Sequence, residues 1–361
     1  MGRNRRTRGA GRSGPVASIK DVARRAGVSI ASVSRVMNEH ENVREETRER
    51  VLAAVRSLRY VPHVGARSLI TRQTSAVGVL LPDLYGEFFS EIIRGIDDGA
   101  RRHGLQLLLS SVHGDGAEVG AAIRTMRGRV DGLLVMSPHV DAALLDRNIP
   151  TTVPLVLINS PPVGTSHPTI AIDSYGGARA MVRHLVGLGH RSIAHVAGAE
   201  HNFDSDERLR GYRDEMACSL PGVAPLVLRG DFTERAGHEA GRTLAARADR
   251  PDAVFAANDV MAVGCLAAFR AAGLSVPDDI ALAGFDDIPL AALVNPALTT
   301  ARVRIADLGR SALEQLLHAI HDPKPTGRDA QAFAPELVIR ESCGAQNPPR
   351  RRLRRPPARV T

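Results

Sequence analysis

Between residues 75 and 343 the chain repeats one pattern, a short uninterrupted apolar run followed by a stretch of helical length. The runs Ala76–Leu81, Leu105–Ser110, Gly132–Met136, Leu155–Ile158, Ser192–Ala197, Ala253–Ala256 and Ile280–Gly284 read as strands, and Glu87–His103 as the first amphipathic helix between them. A strand that is apolar throughout, without alternation, has to be covered on both faces. Helices between successive strands supply that cover and make the strands parallel. An α/β body is therefore expected, and such sheets bind ligands beyond the carboxyl ends of their strands. The loops at 82–89, 137–139, 159–162, 198–208, 258–259 and 285–287 are where a site should lie.

The start of the chain follows a different period. Ser18 can cap a helix whose apolar positions Ile19, Val22, Ala23 and Ala26 recur at helical spacing, and Gly27 follows where a helix end favours positive φ. Ser29 can cap a second helix carrying Val33, Val36 and Met37 on one side. A third amphipathic stretch, 45–58, is expected to turn Val51, Leu52, Val55 and Leu58 inward. Two short helices joined by a Gly-containing turn make a helix-turn-helix, whose second helix enters the major groove by its N-terminal residues. That puts Ile30, Ala31, Ser32, Ser34 and Arg35 at or near DNA. Arg35 can donate two hydrogen bonds to guanine, whereas Ser29, Ser32, Ser34 and Asn38 suit phosphates. Ile30 and Ala31 can touch thymine methyls but cannot hydrogen-bond a base.

Charge agrees with this division. The net +8 is unevenly spread over the 361 residues. Residues 1–18 hold Arg3, Arg5, Arg6, Arg8 and Arg12 with no acid, and residues 344–361 hold Arg350, Arg351, Arg352, Arg354, Arg355 and Arg359 with none. Residues 19–72 are net basic and the body is net acidic, so one end rather than the whole surface meets a polyanion. The tails read equally well as solvated, disordered segments.

The segment Ile19-Lys20-Asp21-Val22-Ala23, then Ala26-Gly27-Val28-Ser29, then Val33-Ser34-Arg35-Val36-Met37-Asn38 resembles the lac/galactose repressor family of bacterial regulators. The match continues through Glu46-Thr47-Arg48-Glu49-Arg50-Val51 and Tyr60-Val61-Pro62, and runs on through the body to about Cys343. The resemblance implies a three-helix helix-turn-helix domain at 19–62 between a basic arm (1–18) and a hinge helix with linker at 63–74. A body at 75–343 then resembles a periplasmic binding protein, with two Rossmann-like subdomains around one cleft, followed by the Arg/Pro-rich tail 344–361. In the hinge, Leu69 matches a leucine wedged into the minor groove and Ala66 a small residue packed there. Gly65 departs from the pattern and would weaken a free hinge helix.

By the same resemblance Phe88 and Phe89 lie where family members press aromatic rings on the effector, and Phe232 matches a second cleft aromatic. Arg208, three residues before Gly211-Tyr212, matches an arginine that binds effector oxygens; Asn258-Asp259 and Asp286 match cleft polar groups. Flat faces with an arginine and carboxamide or carboxylate groups suit a sugar ring or a planar base. Duller readings stay open. One of the two phenylalanines can be core, Arg208 can pair with Glu207 or Asp206, and Asp286 can cap the helix after it. Val303 stands at a position often polar in sugar-binding relatives.

Other classes find little support. There is no P-loop, no dinucleotide-binding glycine motif and no nucleophile elbow, so neither an enzyme nor a resident cofactor is expected. Cys218, Cys265 and Cys343 are far apart, and His184, His190, His195 and His201 lack metal-ligand spacing. No apolar run is long enough for a membrane span, and no secretion signal precedes Ile19, so a cytoplasmic protein is expected. The expected partners are double-stranded operator DNA, a sugar or purine-like effector, and a second copy of the chain. A dimer is favoured over a tetramer because the tail from Gln346 has no leucine heptads. The competing readings are a transport solute-binding protein, and a sugar- or nucleoside-processing enzyme with an appended DNA-binding domain.

Overall fold

The computed structural model describes residues 17–37, 42–60, 73–84, 86–112, 116–137, 153–160, 167–322 and 330–345. Asn38, Ala66 and Leu69, nearly all of the basic arm and most of the C-terminal tail lie outside the described residues. Two compact units divide the chain between Thr74 and Ser75.

The N-terminal unit contains α1 (Ile19–Ala26), α2 (Ile30–Met37) and α3 (Glu45–Leu58). Ser18 caps α1 in a full capping box with Asp21, satisfying donors that a helix start leaves orphaned. Gly27 ends the helix at φ 64°, and Val28 N–H donates to Ala23 O at 3.1 Å. A second device at that corner was not legible in the sequence. Arg50 of α3 donates from Nε and Nη2 to Ala26 O at 3.1 and 2.5 Å, and from Nη2 to Gly27 O at 3.2 Å. A guanidinium on the last carbonyls of α1 complements the negative end of its dipole and ties α1 to α3. Val22, Val33 and Val51 are fully buried and Tyr60 closes the small core. Leu52, expected inward, is instead 37% exposed; Ala54 takes the buried place and Val55 and Leu58 pack only at its edge.

The body holds two six-stranded sheets. In the first lobe β1 (Ala76–Leu81), β2 (Gln106–Ser111), β3 (Gly132–Met136), β4 (Leu155–Ile158) and β5 (Thr169–Ile172) run parallel, joined at one edge by β11 (Ala330–Phe333). The order is β11-β5-β4-β3-β1-β2. In the second lobe β6 (Ile193–Val196), β7 (Leu226–Leu228), β8 (Ala253–Ala256), β9 (Ala281–Asp286) and β10 (Thr299–Arg302) are parallel, and β12 (Glu336–Val338) pairs antiparallel with β10. Their order is β12-β10-β9-β8-β6-β7. The central strands β1, β3, β4, β8 and β9 are buried at every position, as their unbroken apolar character required. The short strands β5, β7, β10, β11 and β12 had escaped sequence reasoning. β10 and β12 begin with polar residues, β7 is an apolar edge strand of only three half-buried residues, and β11 is an edge strand whose apolar run Gln331 interrupts.

Helices α4 (Glu87–Arg102) and α5 (Gly116–Met126) belong to the first lobe. The second lobe carries α6 (Ser174–Gly187), α7 (Phe203–Ser219), α8 (Glu234–Ala245), α9 (Asp259–Ala271) and α10 (Pro289–Leu293). Helix α11 (Ile305–His321) follows β10 of the second sheet yet packs on α4, β3 and β4 of the first. It can approach closely because Gly95 of α4 and Gly309 of α11 itself lie at the contact: a Cβ on Gly95 would run into the backbone of Ala306 and one on Gly309 into that of Ile92. The chain thus passes between lobes at 172–174, 302–305 and 333–336, the third passage leading from β11 to β12. Repeated crossing keeps the carboxyl ends of both sheets beside one connecting layer. No helix among the described residues is long and apolar enough to cross a membrane.

Candidate functional site

The helix expected to read DNA comes first in the chain. On α2, Ile30 is 45% exposed, and Ala31 and Arg35 are also open to solvent. Ser29 Oγ accepts from Ser32 N–H at 3.1 Å, so it caps α2 as expected, and its hydroxyl lies 2.9 Å from Ser32 Oγ. Both hydroxyls thus already serve the helix start while retaining capacity for a further bond. Ser34 is half-buried beside the fully buried Val33. The exposed edge of α2 therefore offers one isolated guanidinium, one branched apolar side chain and small residues, which is the equipment of a groove-reading helix.

In the body, Arg208 stands at the centre of a buried polar cluster. It sits in the first half of α7, which Asn202 caps by accepting from Ser205 N–H. The side chain is 3% exposed. Its Nη1 donates to Ala257 O at 2.5 Å, Nη2 to Asp286 Oδ1 at 3.3 Å and Nε to Ser174 Oγ at 3.3 Å. The guanidinium also lies 3.8 Å over the Phe285 ring, a cation–π contact strengthened by desolvation. Arg208 does not pair with Glu207, which is taken by Arg210. A guanidinium has five donors, so Arg208 keeps capacity for a ligand acceptor.

Two carboxylates flank it. Asp286, 5% exposed, contacts it directly, and Asp204 is reached through Ser174, whose hydroxyl donates to Asp204 Oδ1 at 2.8 Å. Burial pushes Asp286 up to about 7, with Arg208 pulling it down and Asp204 pushing further up. Burial likewise raises Asp204. Asp259, behind β9, is raised well above its ordinary range by burial and by Asp286; Thr300 Oγ1 donates to it at 2.6 Å and Ile288 N–H at 3.0 Å. Asp286 caps no helix: the cap position of α10 is Ile288, without a side-chain bond. A desolvated cation between two acids that burial pushes upward can accept and donate hydrogen bonds in fixed directions, as a hydroxyl-rich ligand requires.

The remaining residues divide by lobe. Phe232 sits at φ 70° with its ring on Gly198, where a Cβ would come within 2.2 Å. Asn258 holds that turn, donating from Nδ2 to Phe232 O at 3.1 Å, while its Oδ1 caps α9 by accepting from Met261 N–H. The structure therefore brings together Arg208 with Asp286, and Phe232 with Asn258. Phe88 and Phe89, at the start of α4 in the first lobe, meet edge to face at 5.4 Å and both pack partly on the core. Val303 is 5% exposed and belongs to that core. Sequence reasoning missed Ser174, Asp204 and Asn159. Asp204 stands one helical turn before Arg208, a spacing that could have revealed it. Asn159, at φ 46° after β4, accepts from Ile172 N–H at 3.0 Å, while its buried Nδ2 has no partner among the described residues. No group of side chains that could hold a metal occurs among the described residues.

Comparison with known proteins adds an independent line. Residues 18–63 match the model for bacterial regulatory proteins of the lacI family, and residues 182–343 the model for a periplasmic binding protein-like domain. The chain is 36% identical over 330 residues to the HTH-type transcriptional repressor PurR of Photobacterium profundum, covering 91% of this chain and 98% of that protein. It is 36% identical over 314 residues to the ribose operon repressor of Escherichia coli, covering 85% and 94%. Among solved structures, the lac repressor dimer bound to operator and the anti-inducer ONPF aligns with TM-score 0.82 at 29% identity, over 91% of this chain and 99% of that one. A complex of the transcriptional regulator CelR with cellobiose aligns with TM-score 0.68 at 32% identity, over 90% and 99%.

Proposed function

The chain belongs to the lacI family of bacterial regulatory proteins, and from that premise we propose that it is a ligand-responsive repressor that holds a palindromic operator as a homodimer. One helix-turn-helix reads each half-site: Arg35 contacts a guanine, Ile30 and Ala31 touch thymine methyls, and Ser29, Ser32, Ser34 and Asn38 fix register on phosphates. Leu69 and Ala66 enter the minor groove between the half-sites, sharing the reading that so short a helix cannot complete alone. A sugar or purine-like metabolite binds in the body, with Arg208 and Asp286 on its polar edge and Phe88, Phe89, Phe232 and Asn258 around it. Its arrival alters the relation of the two lobes and with it the affinity for DNA. The bacterial cytoplasm, where the operator lies, is its place of action.

One observation carries this reading. A single chain combines an exposed recognition edge on α2 with a buried guanidinium–carboxylate cluster at the carboxyl ends of a parallel sheet. The names of the relatives support it: the PurR protein and the ribose operon repressor are repressors, and the lac repressor dimer was solved on its operator. The cellobiose found with CelR supports a sugar-sized ligand. These relatives are regulators rather than enzymes, and binding without turnover is proposed here too.

The test is a thermal-shift screen of pentoses, hexoses, disaccharides and purines, paired with selection of binding sites from randomised DNA. The expected result is a palindromic consensus and at least one compound that raises the melting temperature unchanged. Chemical conversion of such a compound favours the enzyme reading. Absence of any sequence preference in the selected DNA would overturn the repressor reading.

A further inference from the structure

At the end of β9 two consecutive residues take left-handed backbone angles, Asp286 at φ 105° and Asp287 at φ 57°. Neither is glycine, so each conformation is strained and persists only where the surroundings over-determine it. The consequence is that two neighbouring carboxylates serve different networks. Asp286 meets Arg208. Asp287 is 8% exposed at its side chain and meets Arg302 Nε at 2.6 Å and Arg340 Nη2 at 2.7 Å. Its backbone N–H donates to Thr300 Oγ1 at 3.3 Å.

The partners of Asp287 sit where the chain leaves the second lobe. Arg302 is the last residue of β10, lies opposite Asp286 in the parallel register, and opens the 302–305 passage into α11. Arg340 follows β12, which begins at the end of the 333–336 passage, and is itself locked by Nη1 donating to Leu298 O at 2.7 Å and its N–H to Thr299 Oγ1 at 2.9 Å. Val303 N–H, inside the first of these passages, donates to Asp286 O at 3.2 Å. The remaining passage is tied in as well, since Asp173 N–H donates to Phe333 O at 2.9 Å. A second ion pair, Arg304–Glu336 at 3.2 Å, spans the same two passages, but its side chains are 62% and 59% exposed. Solvent screens such a pair, so it transmits little. The route through Asp287 is the better shielded of the two: Asp287 is 8% exposed and Arg340 17%, with Arg302 at 43% on its outer side.

We infer that Asp287 is a positioning residue that couples the carboxylate of Asp286 to the interlobe passages through Arg302 and Arg340. Movement of Asp286 must rotate the strained peptide between the two residues and so shift Asp287 against both arginines. The inference rests on the reading that Asp286 faces the effector, and it gives that reading a route by which the cleft reaches the connecting layer. Coupling carried this way belongs to a defined pair of groups, so it can be separated from mere stability by a double-mutant cycle.

The experiment follows backbone amide exchange in the full chain for wild type, Asp286→Asn, Asp287→Asn and the double variant. With Asp287 intact, Asp286→Asn is expected to accelerate exchange roughly fivefold or more in peptides covering 299–308 and 333–340. In the Asp287→Asn background the same change should alter those peptides less than about twofold, while peptides of α7 around Arg208 respond equally in both backgrounds. A purely structural role would add the two effects everywhere, and an equal response of 299–308 in both backgrounds overturns the inference. Should Asp286→Asn not fold, Arg208→Lys perturbs the same carboxylate from its other side, with the same expectation. Because no ligand is used, failure here leaves the effector reading standing, and a failed effector screen leaves this result standing.

Discussion

On α2 the groups that can meet a partner are assembled from neighbours: Ser29 bonds to Ser32 three residues on, and Arg35 projects from the same short helix without help from elsewhere. In the body Arg208 reaches Ser174, Ala257 and Asp286, at sequence separations of 34, 49 and 78. The first surface is exposed and mostly uncommitted; the second is buried, charged and held in place by its own lobe, with donors of Arg208 to spare. The difference separates two kinds of recognition. DNA supplies its own rigid, charged template, so α2 needs only the right side chains on a stable helix. A small effector supplies little, so the cleft must be preorganised by the fold before the ligand arrives.

The contrast can be broken or sharpened by substitution. The largest effect is expected from Arg208→Met, which leaves Asp286 buried without its cation and should cost about 3–5 kcal/mol of stability. Denaturant melts would check it; a body as stable as wild type would show that Arg208 is not committed to the fold. The next concerns pH. Asp286 lies near 7 in the fold against an ordinary value of 3.8, so it contributes stability that is full below about pH 4 and lost as pH rises to 7. His195, fully buried and pushed down to about 3, acts with the opposite sign: its contribution is present above about pH 6.5 and lost as pH falls. Relative to wild type, Asp286→Asn should therefore gain roughly 1.4 kcal/mol per pH unit between pH 4 and 7. A constant difference across that range contradicts the assignment.

The N-terminal surface should respond differently. Arg35→Ala is expected to remove about 1–3 kcal/mol of base discrimination, read by gel shift on randomised half-sites, while thermal stability stays unchanged. Gly27→Ala puts a Cβ 2.8 Å from Arg50 Nη2 at a left-handed φ and should cost about 1–2 kcal/mol, visible as faster amide exchange in residues 18–37 only. Least of all should come from Arg235→Ala, whose side chain is 71% exposed in its pairs with Asp231 and Glu239 and which should shift stability by no more than about 1 kcal/mol.

The same contrast explains what the sequence made legible. The caps of α1 and α2 and the span of α3 were readable because every signal lies within a turn or two. Leu52 was misjudged because helical period alone cannot say how wide the buried stripe of α3 is, and Ala54 fills it instead. In the body, unbroken apolar strands announced parallel sheets, whereas β10 opens on Thr299 and Thr300, buried polar residues that bond to the remote Ser342 and Asp259, and β12 opens on Glu336. Arg208, Asp286, Phe232 and Asn258 were named from resemblance. Their partners Ser174 and Ala257 were not, because the contacts come from remote segments that only the fold brings near. The division of the second sheet's last strands, with α11 returning to the first lobe, left no local trace at all.

The central claim is that the cleft and the recognition helix are thermodynamically linked. Its most direct test measures four constants: affinity for the selected operator with and without a compound from the screen, and affinity for that compound with and without the operator. Linkage requires the two ratios to be equal, with an expected value of about 5–150-fold. Operator affinity that is the same at zero and saturating compound would contradict the account.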